Sequence, residues 1–249
     1  MSPEPNPYAP PRDFGMLPGA AQSPGAPPQG FRTREVLEEA WPAFKKHWPV
    51  LLASLMVASI PSSVLSFIPA FALLARLVEP NSVEYFTVYG ISTLLSMIVS
   101  YFFLVGYIRI ILDAARGKAP DFMTIFSGFD RYFSFLGTNL VLGLAVFIGT
   151  LLLIVPGVIL LLGFGLANFY CVDARLGPIA ALGASWRAMR GYKLEMFLFL
   201  LAGILIYCLG MLACCVGSLP AAVFVYVGWG IVYVRLSGHV QAPFSSRGA

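Results

Sequence analysis

Long stretches without a charged residue dominate the pattern of apolar and polar positions along this chain. Such runs cover residues 49–75, 85–108, 132–172 and 196–234. An α-helix needs about 20 apolar residues to cross roughly 30 Å of hydrocarbon. The first two runs are each long enough for one span, and the last two for two spans and a turn. The pattern therefore predicts an all-α, polytopic membrane helix bundle with six transmembrane helices.

A proline–glycine break lies near the middle of each of the two longest runs. Pro156 and Gly157 interrupt the third run, and Gly217 and Pro220 flank the break in the fourth. Proline ends a helix, glycine tolerates turn dihedrals, and a broken backbone is costly inside lipid. We therefore predict hairpin turns at these residues. The alternative, a pair of kinked helices, would need helices of about 60 Å, twice the bilayer core. The three predicted hairpins have spans at about 49–75, 85–112, 135–155, 157–173, 195–216 and 220–236.

Lysine and arginine residues concentrate on one side of the predicted spans. They precede span 1, lie between spans 2 and 3 and between spans 4 and 5, and follow span 6. On the opposite side the short loops contain Arg76 as their one basic residue. Cytoplasmic loops carry such an excess of basic residues. We therefore predict that both termini lie in the cytoplasm.

Three segments on the basic side show a helical period of apolar residues. They are residues 33–48, the segment after Asp121, and the segment that opens with Gly177 and Pro178. Asp121 is a suitable N-cap, and proline suits the first position of a helix. We predict a cytoplasmic amphipathic in-plane helix in each segment, followed by a hairpin, which would make a threefold repeat. The alternative is that any interfacial helix collects aromatic and basic side chains.

Composition divides the chain into one membrane domain and two short tails. Charged residues make up 11% of the chain and apolar residues 58%, a balance that excludes an ordinary soluble domain of this size. Residues 1–31 are rich in proline and glycine, so we predict a disordered cytoplasmic tail. Residues 32–238 would form the six-helix membrane domain, and residues 239–249 a short cytoplasmic tail.

The sequence contains none of the common catalytic or phosphate-binding motifs, such as H-E-x-x-H, G-x-S-x-G or the P-loop. Neither the histidines nor the cysteines show the spacing of a metal site, so we predict no metal and no cofactor. No basic stripe stands apart from the spans, so no nucleic-acid partner is predicted. The residues concerned are His47, His239, Cys171, Cys208, Cys214 and Cys215.

Ionisable residues cluster at the predicted cytoplasmic ends of the spans. We predict ion pairs there, joining Asp173 to Arg175 and Asp113 to Arg109 or Arg116. Basic residues that flank the spans are candidates for binding anionic lipid headgroups, although they could equally serve to set the topology. The headgroup candidates are Lys45, Lys46, Arg116, Lys118, Arg187, Arg190 and Lys193.

Asn139 and Asn168 are the most deeply placed strongly polar residues of the predicted spans. We predict that they form hydrogen bonds between helices, a contact worth roughly 1 kcal/mol in a membrane. Ionisable residues are almost absent from the middle of the spans, and this argues against a proton- or ion-coupled transporter.

Several short motifs fall between residues 100 and 200. They are Gly106-Tyr107 to Arg116-Gly117, Phe126-Ser-Gly128-Phe129, Ile154-Val-Pro156-Gly157-Val158, Tyr170-x-x-Asp173 and Ala180-Ala-Leu182-x-x-Ser185-Trp186-x-x-Met189-x-Gly191. Together they resemble bacterial six-span membrane proteins of the YciC-like and glycerophosphodiester phosphodiesterase membrane-domain group. The resemblance implies a multi-pass protein of the bacterial inner membrane. It implies no activity, because most members have none established and the soluble phosphodiesterase domain of some relatives is missing from this sequence.

Three functions fit these observations. The first is a non-enzymatic integral inner-membrane protein that organises membrane lipids or a membrane-protein partner. Its partner could also be a second copy of the chain, in a homo-oligomer. The second is a transporter or channel for a small or amphiphilic solute. It would need a cavity that reaches the middle of the bilayer and is lined by polar groups such as Asn139 or Asn168. The third is a lipid-headgroup enzyme that acts through Asp113 or Asp173.

Overall fold

The computed structural model describes residues 30–212 and 217–237, without the side chain of Ile154. This part of the chain is helical and contains no strand. Six stretches are long and apolar enough to cross a membrane: Thr33–Leu74, Val83–Ala115, Phe122–Leu152, Val155–Val172, Lys193–Leu212 and Ser218–Leu236. The all-α, six-span prediction is therefore confirmed. The helices are α1 (Thr33–Ser66), α2 (Ile68–Leu74), α3 (Val83–Ala115), a 3-10 helix (Phe122–Arg131), α4 (Tyr132–Leu152), α5 (Ile154–Phe164), α6 (Ala167–Val172), α7 (Pro178–Ala188), α8 (Lys193–Leu212) and α9 (Ser218–Ser237).

Some predictions concern residues outside these ranges. They include almost all of the N-terminal tail, the C-terminal tail with His239, and Cys214 and Cys215. Within the predicted tail of residues 1–31, Phe31 is described and is buried, with its ring 5.8 Å from that of Tyr192. Phe31 therefore packs with the described helices, and the boundary between tail and membrane domain stays a prediction.

The first predicted amphipathic segment is not a separate helix. It is the start of α1, which continues through Pro42, Pro49 and Pro61 into the first span. The start of α1 is fixed by contacts with α8 and α9. The Thr33 backbone N–H donates to Glu195 Oε2 at 3.0 Å, and Arg235 forms ion pairs with Glu35 and Glu39. Residues 33–48 are thus joined to α8 and α9, and their in-plane orientation stays a prediction.

The other two amphipathic segments differ from each other. The segment after Asp121 is a 3-10 helix, and its predicted N-cap is confirmed, because Asp121 Oδ1 accepts a hydrogen bond from the Met123 N–H at 3.1 Å. Gly128 lies so close to α3 that an added Cβ would clash with the Phe102 carbonyl oxygen. The third segment is α7, which begins at Pro178 as predicted. The three segments therefore share a position in the chain but not a structure.

The turn of the second hairpin lies before the predicted residues. The helix ends at Leu152, the single extended residue Leu153 makes the turn, and Pro156 and Gly157 already lie in the first turn of α5. The first turn of a helix has no internal partners for its N–H groups, so proline is tolerated there. Gly157 instead permits close packing, since an added Cβ would lie 2.9 Å from the Thr150 backbone nitrogen. This corrects the predicted turn by about three residues.

The third hairpin repeats this arrangement. Helix α8 is described as far as Leu212, Gly217 lies in a turn, and Pro220 is the third residue of α9. A Cβ on Gly210 would be 2.6 Å from the Gly217 carbonyl oxygen. In both hairpins a glycine therefore permits close packing of the two helices near the turn, and a proline follows the turn. Residues 213–216, the predicted end of span 5, lie outside the described ranges.

Helices α1, α3 and α9 pack against one another, and α4 to α7 pack together beside them. We use the term charged end for the end of the bundle where α3, α6 and α9 finish. The best-buried residues of α3 occupy its last ten or so positions, Val105–Ala115, whereas its first half is largely exposed. The core is therefore concentrated toward the charged end. The exposed apolar side chains of the remaining helices form the surface that a membrane would cover.

Candidate functional site

A small polar network joins three helices at the charged end. The Arg116 guanidinium lies 2.5 Å from Asp173 Oδ2, and the Tyr233 hydroxyl donates to the same oxygen at 2.8 Å. Arg116 follows α3, Asp173 follows α6, and Tyr233 belongs to α9. Both charged side chains are mostly buried. This corrects the predicted pairing, because Asp173 pairs with Arg116 and not with Arg175.

Arg116 keeps its charge in this environment. Burial disfavours the guanidinium cation, but the hydrogen bond that Arg116 donates to Asp173 and the charge of that carboxylate leave the pKa of Arg116 above its ordinary value. Asp113 is half-buried one turn earlier in α3, where the positive charges of Lys118 and Arg116 act on it. The described residues show no ion pair for Asp113. Asp173 Oδ2 already accepts hydrogen bonds from two structural partners.

The second predicted partner, Arg109, also binds a different carboxylate. Its guanidinium donates to both oxygens of Asp130, at 2.7 and 2.9 Å, and to the Ser127 carbonyl oxygen at 2.8 Å. Arg175 lies 3.7 Å from the same Asp130. Arg109 therefore fastens the end of the 3-10 helix to α3, and neither Arg109 nor Arg175 pairs as predicted.

The predicted headgroup candidates are distributed over several segments. Lys45 and Lys46 are exposed on α1, Lys118 is exposed after α3, and Arg187 and Arg190 are exposed at the end of α7. Two lysines contact tryptophan rings: the Lys45 ammonium is 4.9 Å from the Trp41 ring centre, and that of Lys193 is 3.5 Å from Trp186. Their contact with lipid headgroups stays a prediction.

Span 4 is interrupted, and α7 covers the interruption. The helix breaks at Gly165 and Leu166, between α5 and α6. The buried Ser185 hydroxyl donates to the Gly163 carbonyl oxygen at 2.8 Å and accepts from the Leu166 N–H at 3.1 Å. These two bonds satisfy backbone groups that the break leaves without helical partners. Helix α7 is therefore an integral part of the bundle and not merely a surface helix.

The predicted interhelical contact between the two asparagines is present. The Asn139 amide donates to Asn168 Oδ1 at 3.2 Å, and the Asn168 amide donates to Asn139 Oδ1 at 3.3 Å. This reciprocal pair joins α4 to α6. Each amide has two N–H groups and each carbonyl two lone pairs, so Asn168 retains capacity for one further donor and one further acceptor bond.

A cavity of about 630 Å³ lies beside Asn168. We call it the lateral cavity, because exposed side chains such as Ile204 and Tyr207 belong to its wall and it therefore opens at the side of the bundle. It separates the second hairpin from the third and is backed by α3. Its lining residues are Leu104, Ile108, Gly165, Asn168, Phe169, Leu200, Gly203, Ile204, Tyr207, Ala222, Val225, Tyr226 and Trp229.

The lateral cavity lies at the middle of the spans. Its α8 residues run from Leu200 to Tyr207, which is about 10–21 Å along the helix from Lys193 at a rise of 1.5 Å per residue. None of the lining residues is charged, and most are apolar or aromatic. Such a composition and volume are typical of a site for a small molecule. The cavity also adjoins the polar network, since Phe169 stacks on Tyr233 with ring centres 5.7 Å apart.

Aromatic residues shape the wall formed by α9. Gly165 leaves room for Trp229, whose ring would be 2.9 Å from an added Cβ. The Tyr226 ring meets the Tyr107 ring edge to face at 5.5 Å, and the buried Tyr107 hydroxyl has no hydrogen-bond partner within the described residues. Gly165, Tyr226 and Trp229 are not among the residues that the sequence predicted as functional. Their helical period is the same as that of any buried span, so no pattern distinguished them.

The fold and this site define a multi-pass α-helical membrane protein. No family model, no curated protein and no solved structure matches the chain. The described residues contain no group of three or more histidine, cysteine, aspartate or glutamate residues that could hold a metal ion. The lateral cavity and the polar network beside it are therefore the candidate functional site.

Proposed function

We propose that this protein is a non-enzymatic membrane protein that binds one membrane amphiphile in the lateral cavity. The observation that supports this most directly is an uncharged space of about 630 Å³ at mid-span depth, between two hairpins and open at the side of the bundle. A polar solute cannot reach such a site from water without crossing apolar lining. A lipid or other amphiphile can enter it from the bilayer. We further propose that the charged end lies in the cytoplasm of a bacterial cell and that the chain belongs to the YciC-like group.

The same cavity supports transport of an amphiphilic solute less well. Transport needs access from both sides of the membrane, whereas the end of the cavity nearest the charged end is occupied by Phe169, Tyr233 and the Arg116–Asp173 pair. An enzyme acting through Asp173 is also less well supported, because both partners of this carboxylate are structural. Retention of a bound amphiphile requires only the cavity itself.

Two substitutions in α8 test the proposal. Ile204 lines the cavity and Leu205 does not, although both are exposed apolar residues of the same helix. Ile204→Trp would place a larger side chain in the cavity, whereas Leu205→Trp would place it on the outer surface. Native mass spectrometry of protein extracted into detergent would measure the fraction that retains one lipid-sized ligand. A second filling variant, Ala222→Phe, serves if Ile204→Trp does not yield monodisperse protein.

We expect the original protein and Leu205→Trp to retain the ligand equally. The cavity-filling variants should retain it at least about fivefold less, because the added ring occupies its volume. Equal retention by all proteins, or no retention by any, would show that the cavity is not a binding site.

A further inference from the structure

The hydrogen-bonding groups of the lateral cavity limit its ligand to one chemical class. The lining side chains that carry hydrogen-bonding groups are Asn168, Tyr207, Tyr226 and Trp229. The hydroxyls of Tyr207 and Tyr226 form no hydrogen bond with any described residue. Asn168 uses one of its two amide N–H groups in the pair with Asn139, and the other has no partner among the described residues. Together with the indole N–H of Trp229, these groups make four N–H or O–H donors in the lining of an otherwise apolar cavity. This deepens the proposed function and depends on it.

Charge excludes several common amphiphiles from this position. No lining residue carries a charge, and placing an unpaired carboxylate, phosphate or ammonium in an apolar site is strongly unfavourable. A fatty-acid carboxylate or a phospholipid headgroup would therefore have to remain outside the cavity. The group held at mid-span depth should therefore be neutral, and a hydrogen-bond acceptor would satisfy the N–H and O–H donors of the lining.

The aromatic lining adds a preference for a flat ring. Phe169, Tyr226 and Trp229 lie on two neighbouring helices, α6 and α9, and all contribute to the wall. Aromatic rings associate by offset stacking or edge-to-face contact, which favours a planar partner over a flexible chain. The remaining lining, with Leu104, Ile108 and Leu200, suits an aliphatic tail.

From these features we infer that the lateral cavity binds an isoprenoid quinone, with its ring carbonyls accepting hydrogen bonds from Tyr226, Tyr207 or Asn168. A quinone is neutral and planar, carries acceptors but no donors, and has an apolar tail that resides in the bilayer. The inference concerns binding alone and includes no electron transfer.

Binding of decylubiquinone to the full chain in detergent micelles tests the inference. Gel filtration would separate the protein with its bound quinone from free quinone. The absorbance of the protein fraction would give the bound quinone, after subtraction of the quinone taken up by micelles without protein. The variants are Tyr226→Phe, Tyr207→Phe and their combination, which remove only hydroxyl groups. Tyr89→Phe is the matched control, since Tyr89 is an exposed span tyrosine that does not line the cavity. Geranylgeraniol, which has an isoprenoid tail but no ring, is the competing probe.

We expect about one quinone per protein chain, unchanged in Tyr89→Phe and reduced at least about fivefold in the double variant. Excess geranylgeraniol should displace little of it. Absence of quinone binding, equal binding by the double variant, or full displacement by geranylgeraniol would overturn the inference. If quinone does not bind but Leu205→Trp retains a lipid that Ile204→Trp loses, the proposed function stands and the quinone assignment fails. If neither ligand binds, both fail.

Discussion

Arg116 and Asp173 form an ion pair at 2.5 Å although they are 57 residues apart in sequence. The pair joins the end of α3 to the end of α6, and Tyr233 adds α9 through the same carboxylate oxygen. Three helices that belong to three different hairpins therefore meet at one carboxylate. This contact fixes the wall behind the lateral cavity, because Tyr233 stacks on the cavity residue Phe169.

Asp173→Asn should destabilise the bundle. The substitution leaves Arg116 mostly buried without an anionic partner, a loss we put at about 1–3 kcal/mol. Thermal unfolding in detergent, followed by circular dichroism, would show a lower midpoint. Glu38→Gln is the control, because its pair with Arg34 is exposed to solvent and should contribute nothing measurable. Equal midpoints for Asp173→Asn and the original protein would contradict the structural role of the pair.

Glycine substitutions should separate the hairpin contact from helix propensity. Gly157→Ala would place a Cβ 2.9 Å from the backbone of Thr150 and should cost about 1–3 kcal/mol through overpacking. Gly143→Ala in α4 meets nothing within 4 Å and should be neutral or stabilising, because alanine favours the helix. The unfolding midpoint of Gly157→Ala should therefore fall, whereas that of Gly143→Ala should stay unchanged or rise. A stable Gly157→Ala protein would mean that α4 and α5 are farther apart than described.

Ser185→Ala should destabilise the backbone around the break in span 4. The substitution removes the donor to the Gly163 carbonyl and the acceptor of the Leu166 N–H, both in a buried site. We expect a loss of roughly 1–3 kcal/mol and faster hydrogen exchange at the Leu166 amide. Ser63→Ala is the comparison, since the Ser63 hydroxyl is exposed and bonds only to the Ser59 carbonyl of its own helix. Unchanged exchange at Leu166 in Ser185→Ala would show that α7 does not stabilise the break.

Single cysteines should report the orientation of the hairpins. Leu153 and Lys118 are both exposed, Leu153 at the turn of the second hairpin and Lys118 at the charged end. In a background without the native cysteines, a membrane-impermeant maleimide should label Leu153→Cys in intact cells. Lys118→Cys should react only after the membrane is permeabilised. Labelling of both from the same side would contradict the three-hairpin topology.

The sequence predicted the architecture well because the signal is strong. Charge-free runs can only be accommodated in lipid, and this argument yielded the six spans and the helical class. The position of a turn is a weaker signal, since Pro156 and Pro220 are as well suited to the first turn of a helix as to the turn before it. The structure places both prolines inside the following helix.

The ion pairs were harder to predict than the residues that form them. Arg109, Arg116 and Asp173 were recognised as charged groups at helix ends, but their partners depend on how the hairpins pack. Asp130 and Tyr233 come close to them only in the folded bundle. The Asn139–Asn168 contact was predictable because both residues lie deep in neighbouring spans, where few other polar partners exist.

The lateral cavity had no sequence signature. Its walls come from α3, α6, α8 and α9, and its residues have the same apolar character as the surrounding lipid-facing positions. A cavity results from imperfect packing between helices, which composition and periodicity do not encode. Gly165 and Gly203 belong to the lining and let Trp229 and Val225 pack close to them. This role is visible only in the assembled bundle.

A structure of the protein in lipid nanodiscs would test the central claim most directly. We predict continuous ligand density in the lateral cavity, in contact with Trp229 and within hydrogen-bond distance of Asn168 or Tyr226. The α8–α9 hairpin would then remain separated from α6. A structure in which α8 packs directly against α6 and the space between them is closed would contradict the account.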